Sequence, residues 1–357
     1  MQTVAQSTIW SRRGLAHESR LRLGSRRLTQ ALRTPQRPLG VVSDVMLQPT
    51  TNAMRYRALG RTGLTVSEIG LGCASWWGQK AFDERQATKL VHAALDRGVT
   101  FFDTGAAYSG GEAEPRLGRA LKGRALDGVV VATKAGTYHD GSRVARDFRP
   151  SAIIASVERS LRNLGLERLP LLQLHGPAVA ELDGEMLDAL ALLKRRDLVG
   201  AVGANSFDPV VIEHIIGLPD FDVVMVDYNV LRPERAALIA GAAEQGKGVL
   251  AGMALAMGHA NRQLLRLRAP RDIWYALRAL KNHRSDVVKG ARFGFLQALD
   301  GMTGAQAALA YVLADPNVSC AVVGTTRMAH LIDNLAASGM ALPPEVLRRI
   351  RQAQEPG

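Results

Sequence analysis

The fold is indicated most clearly by residues 83–103, which read DERQATKLVHAALDRGVTFFD. The first part carries apolar residues three and four positions apart, and this spacing predicts an amphipathic helix. Asp83 stands at a typical N-cap position, and Gly98 stands where a helix commonly ends. Residues 99–103 are mainly β-branched or aromatic and predict a short buried strand. The stretch is therefore a helix followed by a strand, the repeating unit of a parallel α/β fold.

The same alternation continues along the chain from Met54. Eight apolar runs predict strands at 69–72, 99–103, 129–133, 170–174, 198–203, 222–226, 248–251 and 319–323. One further helix is predicted to start with Ser151 as its N-cap, after Pro150, and to stop at Gly165. Eight strand–helix units favour a closed (β/α)8 TIM barrel. Between the seventh and eighth strands, residues 258–300 interrupt the repeat, and we predict a helical excursion there on the C-terminal face.

A doubly wound open sheet is the alternative architecture. It would carry a phosphate-binding G-x-G-x-x-G loop directly after its first strand. Residues 70–75 read GLGCAS and do not complete that pattern. The barrel is therefore favoured.

The basic charge of the chain is unevenly distributed. The 357 residues carry a formal net charge of +12, and eight Arg against Glu18 and Asp44 place +6 of it in residues 1–53. Such an Arg-rich, acid-poor segment is typical of organelle transit peptides. The alternative is a disordered arm or a translated upstream region before a start at Met54. We therefore predict an extension over 1–53 and one barrel domain over 54–357, with no nucleic-acid partner.

The cysteine content and hydropathy indicate the cellular setting. Cys73 and Cys320 are the two cysteines, too few for a disulfide scaffold and without metal-ligand spacing. No apolar run approaches the roughly 18 to 20 residues that span a bilayer. We expect a cytoplasmic protein without metal or membrane partner, or an organellar one if residues 1–53 act as a transit peptide.

Residues with acid–base chemistry end three consecutive predicted strands. Asp103, Lys134 and His175 follow the second, third and fourth strands, and Tyr108 lies in the glycine-rich loop after Asp103. The C-terminal strand ends of a barrel meet at one mouth. An ammonium beside a phenol lowers the phenol's pKa from its ordinary value near 10. The set predicts proton donation by Tyr108 to a carbonyl oxygen, with Lys134 lowering the pKa of Tyr108, Asp103 holding Lys134, and His175 orienting or polarising the carbonyl.

These motifs resemble the aldo-keto reductase superfamily over about residues 55 to 340. Residues 59–67 (LGRTGLTVS) resemble its opening hairpin, 102–108 (FDTGAAY) the element with its aspartate and tyrosine, 131–134 (VATK) the element with its lysine, and 172–175 (LQLH) the element with its histidine. The resemblance implies a catalytic tetrad of Asp103, Tyr108, Lys134 and His175. It also implies NAD(P)H-dependent interconversion of an aldehyde, ketone or keto-sugar and an alcohol.

The resemblance further implies a nicotinamide-nucleotide site. The family holds the carboxamide with a Ser-Asn pair after the fifth strand, and here Asn205 and Ser206 stand there in reversed order. After the eighth strand, residues 323–327 (VGTTR) resemble its adenosine-phosphate site. Hydroxyls, helix N-terminal N–H groups and an Arg suit a ribose 2′-phosphate, so NADP is preferred over NAD. The other residues assigned to the cofactor are Gly72, Cys73, Gly324, Thr325, Thr326, Arg327, Asp333 and Asn334.

Two positions depart from the family pattern. Met225 replaces a glutamine on the sixth strand that commonly contacts the carboxamide. Gly252 or Met253 stands after the seventh strand, where many members place an aromatic ring under the nicotinamide. An aromatic residue of the excursion, Trp274 or Tyr275, is one alternative support for the ring.

The substrate is expected to be a small carbonyl compound or alcohol. Trp76, Trp77 and Trp274 are candidates for an apolar, aromatic pocket mouth. Arg143, Arg146, Arg149 and Lys281 are candidates for attracting an anionic substrate. The alternative function is a non-catalytic barrel that senses nicotinamide nucleotides or regulates a partner, as some relatives in the superfamily do.

Overall fold

The computed structural model describes residues 53–141, 143–256 and 289–355. The predicted extension, apart from Ala53, lies outside the described residues, as do Trp274, Tyr275, Lys281 and most of the 258–300 excursion. Within the described ranges, no helix combines the length and the apolar character needed to cross a membrane.

Twelve strands are present in the described residues. They are β1 (Tyr56–Ala58), β2 (Thr65–Ser67), β3 (Ile69–Gly72), β4 (Phe101–Asp103), β5 (Val130–Ala135), β6 (Thr137–Asp140), β7 (Arg143–Arg146), β8 (Leu169–His175), β9 (Val199–Asn205), β10 (Val223–Val226), β11 (Gly248–Ala251) and β12 (Cys320–Val323).

Eight of these strands form a closed parallel barrel, which confirms the predicted fold class. Their order around the barrel is β10-β11-β12-β3-β4-β5-β8-β9, and β9 pairs back onto β10. Each of the eight predicted strands corresponds to one of them, with ends that differ by a few residues. The apolar runs identified the strands because a parallel strand covered by helices is buried on both faces.

The helices of the described residues lie between the barrel strands and after the last one. They are α1 (Glu84–Leu95), α2 (Ala113–Leu121), α3 (Pro150–Leu164), α4 (Gly184–Arg195), α5 (Pro209–Gly217), α6 (Ala236–Glu244), α7 (Gly304–Leu313), α8 (Met328–Leu335) and α9 (Pro344–Gln354). The end of the excursion forms a 3-10 helix over Ala291–Ala298.

The start of α1 was predicted correctly, whereas that of α3 was not. Asp83 accepts a hydrogen bond of 2.8 Å from the backbone N–H of Gln86, as an N-cap does. In α3, however, Pro150 is the first helical residue and Arg149 occupies the cap position without a side-chain cap. Proline is favoured there because its missing N–H is not needed and its φ already suits a helix. Gly165 ends α3 with a φ of 68°, as predicted.

The β1–β2 hairpin closes the N-terminal end of the barrel. It is antiparallel, as the resemblance to the family's opening hairpin implied. Leu59 and Val66 are fully buried and pack in one apolar cluster with Phe101, Leu171 and Leu250 from the barrel strands. Apolar side chains thus fill this end of the barrel interior, and the polar side chains described below lie at the C-terminal strand ends.

A second hairpin, formed by β6 and β7, was not predicted. It follows β5 directly and pairs Thr137 with Arg146 and Asp140 with Arg143. Its residues are mostly polar and mostly exposed, so they lack the apolar run used to find the barrel strands. The dipeptide Asp140-Gly141 is a hairpin-turn signal that could have revealed it.

Candidate functional site

The ends of β4 and β5 bring Lys134 onto Asp103 inside the barrel. Nζ of Lys134 donates hydrogen bonds to Oδ1 and Oδ2 of Asp103, at 2.5 and 2.6 Å, and to the carbonyl oxygen of Thr104 at 2.9 Å. Lys134 is 1% exposed and Asp103 is 5% exposed. Buried charges are stable only when they are paired and hydrogen-bonded, and here each charge meets the other.

Gln173 is a member of this cluster that sequence reasoning missed. Its register partner across β5 and β8 is Lys134. Nε2 of Gln173 donates to Oδ1 of Asp103 at 3.0 Å, and the residue is fully buried. Side chains two positions apart on a strand share a face, so its place two residues before His175 was the available signal.

Tyr108 lies beside the lysine, held by a tight turn. The ring of Tyr108 has its centroid 4.9 Å from Nζ of Lys134, and it meets the His175 ring edge-on at a centroid distance of 5.4 Å. A Cβ at Gly105 would lie 3.3 Å from the Tyr108 ring, so a residue without a side chain lets the ring approach the backbone. The structure thus brings Asp103, Tyr108, Lys134 and His175 into one cluster, called the Tyr108 cluster below.

The ammonium of the buried pair keeps its charge. Burial raises the pKa of the Asp103 carboxyl, and Lys134 and Gln173 oppose that effect. Burial also opposes the charge on Lys134, but Asp103 and Tyr108 outweigh it and raise the pKa of Lys134 above its ordinary value. Lys134 is therefore an ammonium across the neutral range.

The expected lowering of the pKa of Tyr108 is wrong in this structure. Burial raises the pKa of the phenol above its ordinary value, Lys134 lowers it by a smaller amount, and the Asp103 carboxylate raises it again. The carboxylate that Lys134 touches partly offsets the ammonium, because its negative charge disfavours a phenolate nearby. Tyr108 is therefore a protonated phenol at neutral pH.

His175 is uncharged at neutral pH. Burial lowers the pKa of His175 to about 3, and the positive charges of Lys134 and Arg146 contribute. Nδ1 of His175 shares a hydrogen bond of 2.5 Å with the hydroxyl of Thr137 on β6. Thr137 is a second residue that sequence reasoning missed, because the hairpin that carries it was not predicted.

Asn205 and Ser206 stand at the C-terminal end of β9, on the rim of the same mouth. Asn205 is 8% exposed, and its buried Oδ1 has no hydrogen-bond partner within the described part of the chain. Ser206 Oγ accepts from the backbone N–H of Asp208 at 3.0 Å, which leaves its own proton available. A buried amide oxygen without a partner suggests that a ligand's N–H group satisfies it.

An ion pair supports the loop that follows Ser206. Nε of Arg235 donates to Oδ1 of Asp227 at 2.8 Å, and its Nη2 donates to the carbonyl oxygen of Phe207 at 3.0 Å. Asp227 is 1% exposed. The end of β9 is therefore tied to the loop after β10.

The two departures from the family pattern lie in contact with each other. A Cβ at Gly252 would lie 3.3 Å from Cγ and 3.4 Å from Sδ of Met225. Met225 is 8% exposed and pairs in register with Asn205 on one side and Leu250 on the other. The thioether of Met225 thus covers Gly252, where the sequence lacks the expected aromatic side chain.

The residues predicted to bind a cofactor phosphate lie where β3 and β12 run side by side. A Cβ at Gly324 would lie 3.3 Å from the carbonyl oxygen of Gly72, so the two glycines approach closely. Thr325 Oγ1 accepts from the backbone N–H of Arg327 at 3.1 Å, and exposed Arg327 precedes α8. Thr326 is partly exposed in the same turn. Two hydroxyls and a guanidinium thus lie at the N-terminus of α8.

Three of the predicted cofactor residues are buried or already hydrogen-bonded within the protein. Asp333 accepts hydrogen bonds from Thr303 Oγ1 at 2.9 Å and Gln306 Nε2 at 3.0 Å, which tie α8 to the start of α7. Asn334 is buried on α8. Cys73 is fully buried, its backbone N–H donates to the carbonyl oxygen of Asp103 at 2.7 Å, and its carbonyl oxygen accepts from Thr104 Oγ1 at 3.2 Å.

The two tryptophans after β3 differ in exposure. Trp77 is 1% exposed and packs in the core, whereas Trp76 is partly exposed. Only Trp76 of the pair is therefore accessible to a ligand from solvent.

The basic residues of the β7 region are exposed, and two of them are already paired. Arg146 binds Glu181 and the carbonyl oxygen of Gly176, and Arg149 binds Asp147. No three His, Cys, Asp or Glu side chains are placed to hold a metal ion in the described residues.

Comparison with known proteins assigns this arrangement to a family. The model of the Aldo/keto reductase family matches residues 68–355, which include the barrel strands and the whole Tyr108 cluster. The chain belongs to the aldo/keto reductase family.

Individual aldo/keto reductases and related proteins are similar over nearly their whole length. L-galactose dehydrogenase of Arabidopsis thaliana is 28% identical over 85% of this chain and 95% of its own. A probable voltage-gated potassium channel subunit beta of Arabidopsis thaliana is 26% identical over 84% of this chain and 96% of its own. The structure of aldo-keto reductase AKR11C1 from Bacillus halodurans in its holo form is similar with a TM-score of 0.70 and 26% identity, over 85% of this chain and 97% of that one.

Proposed function

We propose that this aldo/keto reductase uses NADPH to reduce an aldehyde, ketone or keto-sugar to an alcohol, or runs the reverse reaction, with Tyr108 as the proton donor. The observation that carries the proposal is the buried Lys134–Asp103 pair beside Tyr108, with neutral His175 against the same ring. This is a proton donor with two polarising neighbours at the mouth of a barrel, the place where barrel enzymes carry their active sites.

The residues at the mouth suit a nicotinamide nucleotide. Asn205 offers a buried oxygen without a partner, and Ser206 a free hydroxyl proton, which together match the donor and acceptor of a carboxamide. Met225 provides an apolar thioether surface over Gly252, and sulfur–aromatic contacts are favourable. These residues would hold the ring from one side without an aromatic partner.

The preference for NADPH rests on the start of α8. Thr325, Thr326 and Arg327 place two hydroxyls and an exposed guanidinium before the helix, where backbone N–H groups and the helix dipole favour anions. A ribose 2′-phosphate would add a charge that Arg327 can pair with, and a ribose 2′-hydroxyl would not.

The nicotinamide, when bound, supplies the hydride for the carbonyl carbon. Tyr108 then donates its phenolic proton to the carbonyl oxygen as negative charge develops there. Lys134 stabilises the phenolate that forms, and Asp103 and the Thr104 carbonyl hold the ammonium in place. His175 polarises the carbonyl oxygen as a neutral hydrogen-bond donor. A raised pKa of Tyr108 suits reduction, because the donor stays protonated at neutral pH.

The experiment that tests the function measures NADPH and NADH oxidation over aldehydes, ketones and keto-sugars. We expect turnover of at least one class, with tighter binding of NADPH than NADH in a fluorescence titration. Absence of cofactor oxidation on every compound, with NADPH still bound, would instead support the alternative of a nucleotide-sensing or regulatory barrel. The similarity to a potassium channel subunit beta and the changed residues Met225 and Gly252 favour that second candidate.

The pH dependence follows from the uncharged state of His175. Because its pKa is about 3, we expect kcat/KM for reduction to show no histidine inflection between about pH 5 and 8. The free energy of unfolding should fall as the pH drops from about 6.5, since the unfolded chain takes up the proton first. A pH profile of kcat/KM checks the absence of an inflection, and a loss of activity centred near the ordinary histidine pKa would contradict it.

A further inference from the structure

The β6–β7 hairpin contacts the end of β8 at two neighbouring points. Thr137 shares its hydrogen bond of 2.5 Å with Nδ1 of His175, and Arg146 Nη1 donates to the carbonyl oxygen of Gly176 at 2.9 Å. Thr137 and Arg146 are register partners, so the two contacts come from one rung of the hairpin. His175 and Gly176 are thus held together by an element outside the barrel.

From this contact we propose that Thr137 is a positioning residue that selects the tautomer of His175. Its hydroxyl donates to Nδ1, so that the ring proton resides on Nε2 and is available to a substrate carbonyl oxygen. The inference rests on the proposed function for its consequence, but the tautomer itself is a property of the free protein.

The direction of the hydrogen bond follows from the partners available. If Nδ1–H donated to Thr137 instead, the threonine proton would need another acceptor. Thr137 is 7% exposed, and His175 Nδ1 is its one side-chain partner within the described residues. A buried hydroxyl proton without an acceptor is costly, whereas an oxygen lone pair left over costs less. Donation from Thr137 to Nδ1 is therefore the favoured arrangement.

The ring nitrogen left free by this contact is Nε2. It has no hydrogen-bond partner within the described residues, and the His175 ring lies edge-on to Tyr108. In the Nε2–H tautomer the ring offers a donor to an oxygen that gains negative charge, whereas in the other tautomer it offers a repelling lone pair. The tautomer therefore decides whether His175 helps or opposes the reaction.

The backbone before Thr137 is built to hold it in place. Gly136 has a φ of +94°, and a Cβ there would lie 2.3 Å from Cε1 of Phe148. The Arg146 guanidinium stacks over the same Phe148 ring, 4.9 Å from its centroid. Glycine alone fits this turn, which directs the chain from β5 into the hairpin and places Thr137 against His175.

The test compares Thr137→Val, which keeps the shape and removes the hydroxyl, with Thr137→Ser, which keeps the hydroxyl. Long-range proton–nitrogen NMR spectra of the full-length ¹⁵N-labelled chain at pH 7, with His175→Gln to assign the ring signals, report the tautomer directly. We expect protonated Nε2 in wild type and Thr137→Ser, and a shift toward protonated Nδ1 in Thr137→Val. We also expect kcat/KM to fall about 10–100-fold in Thr137→Val, as for other residues that orient a histidine, and to recover in Thr137→Ser.

Thr100→Val is the matched control. Its hydroxyl accepts from the backbone N–H of Ser67 before β4, at the opposite end of the barrel, so this variant loses a hydroxyl without touching His175. Protonated Nδ1 in wild type, or the same spectrum in wild type and Thr137→Val, would overturn the proposal. The expected tautomer change in a protein that reduces no carbonyl compound would instead overturn the proposed function alone. Circular dichroism shows which variants are folded, and if Thr137→Val is not, the wild-type spectrum still tests the proposal, because protonated Nδ1 there would overturn it.

Discussion

Replacing Tyr108 by phenylalanine is expected to lower kcat for carbonyl reduction by about 10²- to 10⁴-fold, the usual contribution of a positioned general acid. The ring should remain in place, because it packs against Gly105 and His175 through its carbon atoms. Binding of NADPH should therefore change little. Steady-state kinetics and a fluorescence titration separate the two effects.

Tyr56→Phe is the control for the loss of a phenol. Tyr56 is half-exposed and donates its hydroxyl proton to the carbonyl oxygen of Gly98, outside the Tyr108 cluster. Its removal should leave kcat unchanged. Retention of kcat within about tenfold in Tyr108→Phe would rule out the phenol as the main proton donor, since general acids contribute more than that.

The second large effect is expected from Lys134→Met, which leaves the Asp103 carboxylate buried without its cation. Breaking a buried ion pair from one side typically costs about 3–5 kcal/mol of unfolding free energy. Turnover should fall as well, because the phenolate of Tyr108 loses its stabilising charge. Urea unfolding of the wild-type protein and of Lys134→Met measures the difference in unfolding free energy, provided that the free energy depends equally on urea concentration in both.

The pH dependence of that variant identifies the cause. Burial already raises the pKa of Asp103 in the native protein, and the loss of Lys134 should raise it further. A folded-state carboxyl with a raised pKa destabilises the protein fully above that pKa, and the penalty shrinks as the pH falls from there to the unfolded-state pKa of about 3.9, below which it is gone. The deficit of Lys134→Met should therefore shrink in acid.

Two companion variants complete the experiment. Lys134→Met with Asp103→Asn removes both charges and should recover most of the stability but not the activity. Lys80→Met breaks the exposed Lys80–Glu112 pair, at 3.1 Å, and should cost about 0–1 kcal/mol. A similar loss in Lys80→Met and Lys134→Met would show that the buried pair has no special role in stability.

Much of the fold could be predicted because its signals are local. The buried runs that became β3, β4 and β11, and the cap at Asp83, depend on residues adjacent in the sequence. The β6–β7 hairpin escaped prediction because short polar strands lack an apolar periodicity. The cap of α3 was predicted at Ser151 but lies at Arg149, because both Ser151 and Pro150 are typical of helix starts.

The Tyr108 cluster could be anticipated in membership but not in its electrostatics. Asp103, Lys134 and His175 end successive strands, and strand ends of a barrel converge whatever the side chains. The pKa of Tyr108, by contrast, depends on how deeply the ring is buried and on the opposing effects of Lys134 and Asp103. Neither quantity is a property of the motif.

By itself, the sequence determined the barrel, the strand that carries each polar residue and the convergence of Asp103, Tyr108, Lys134 and His175, because period and order along the chain suffice for these. Only the tertiary structure decided that Gln173 binds Asp103, that Met225 covers Gly252 and that Thr137 reaches His175. Those contacts join residues distant in sequence, and their distances and burial depend on how the strands and the hairpin pack together.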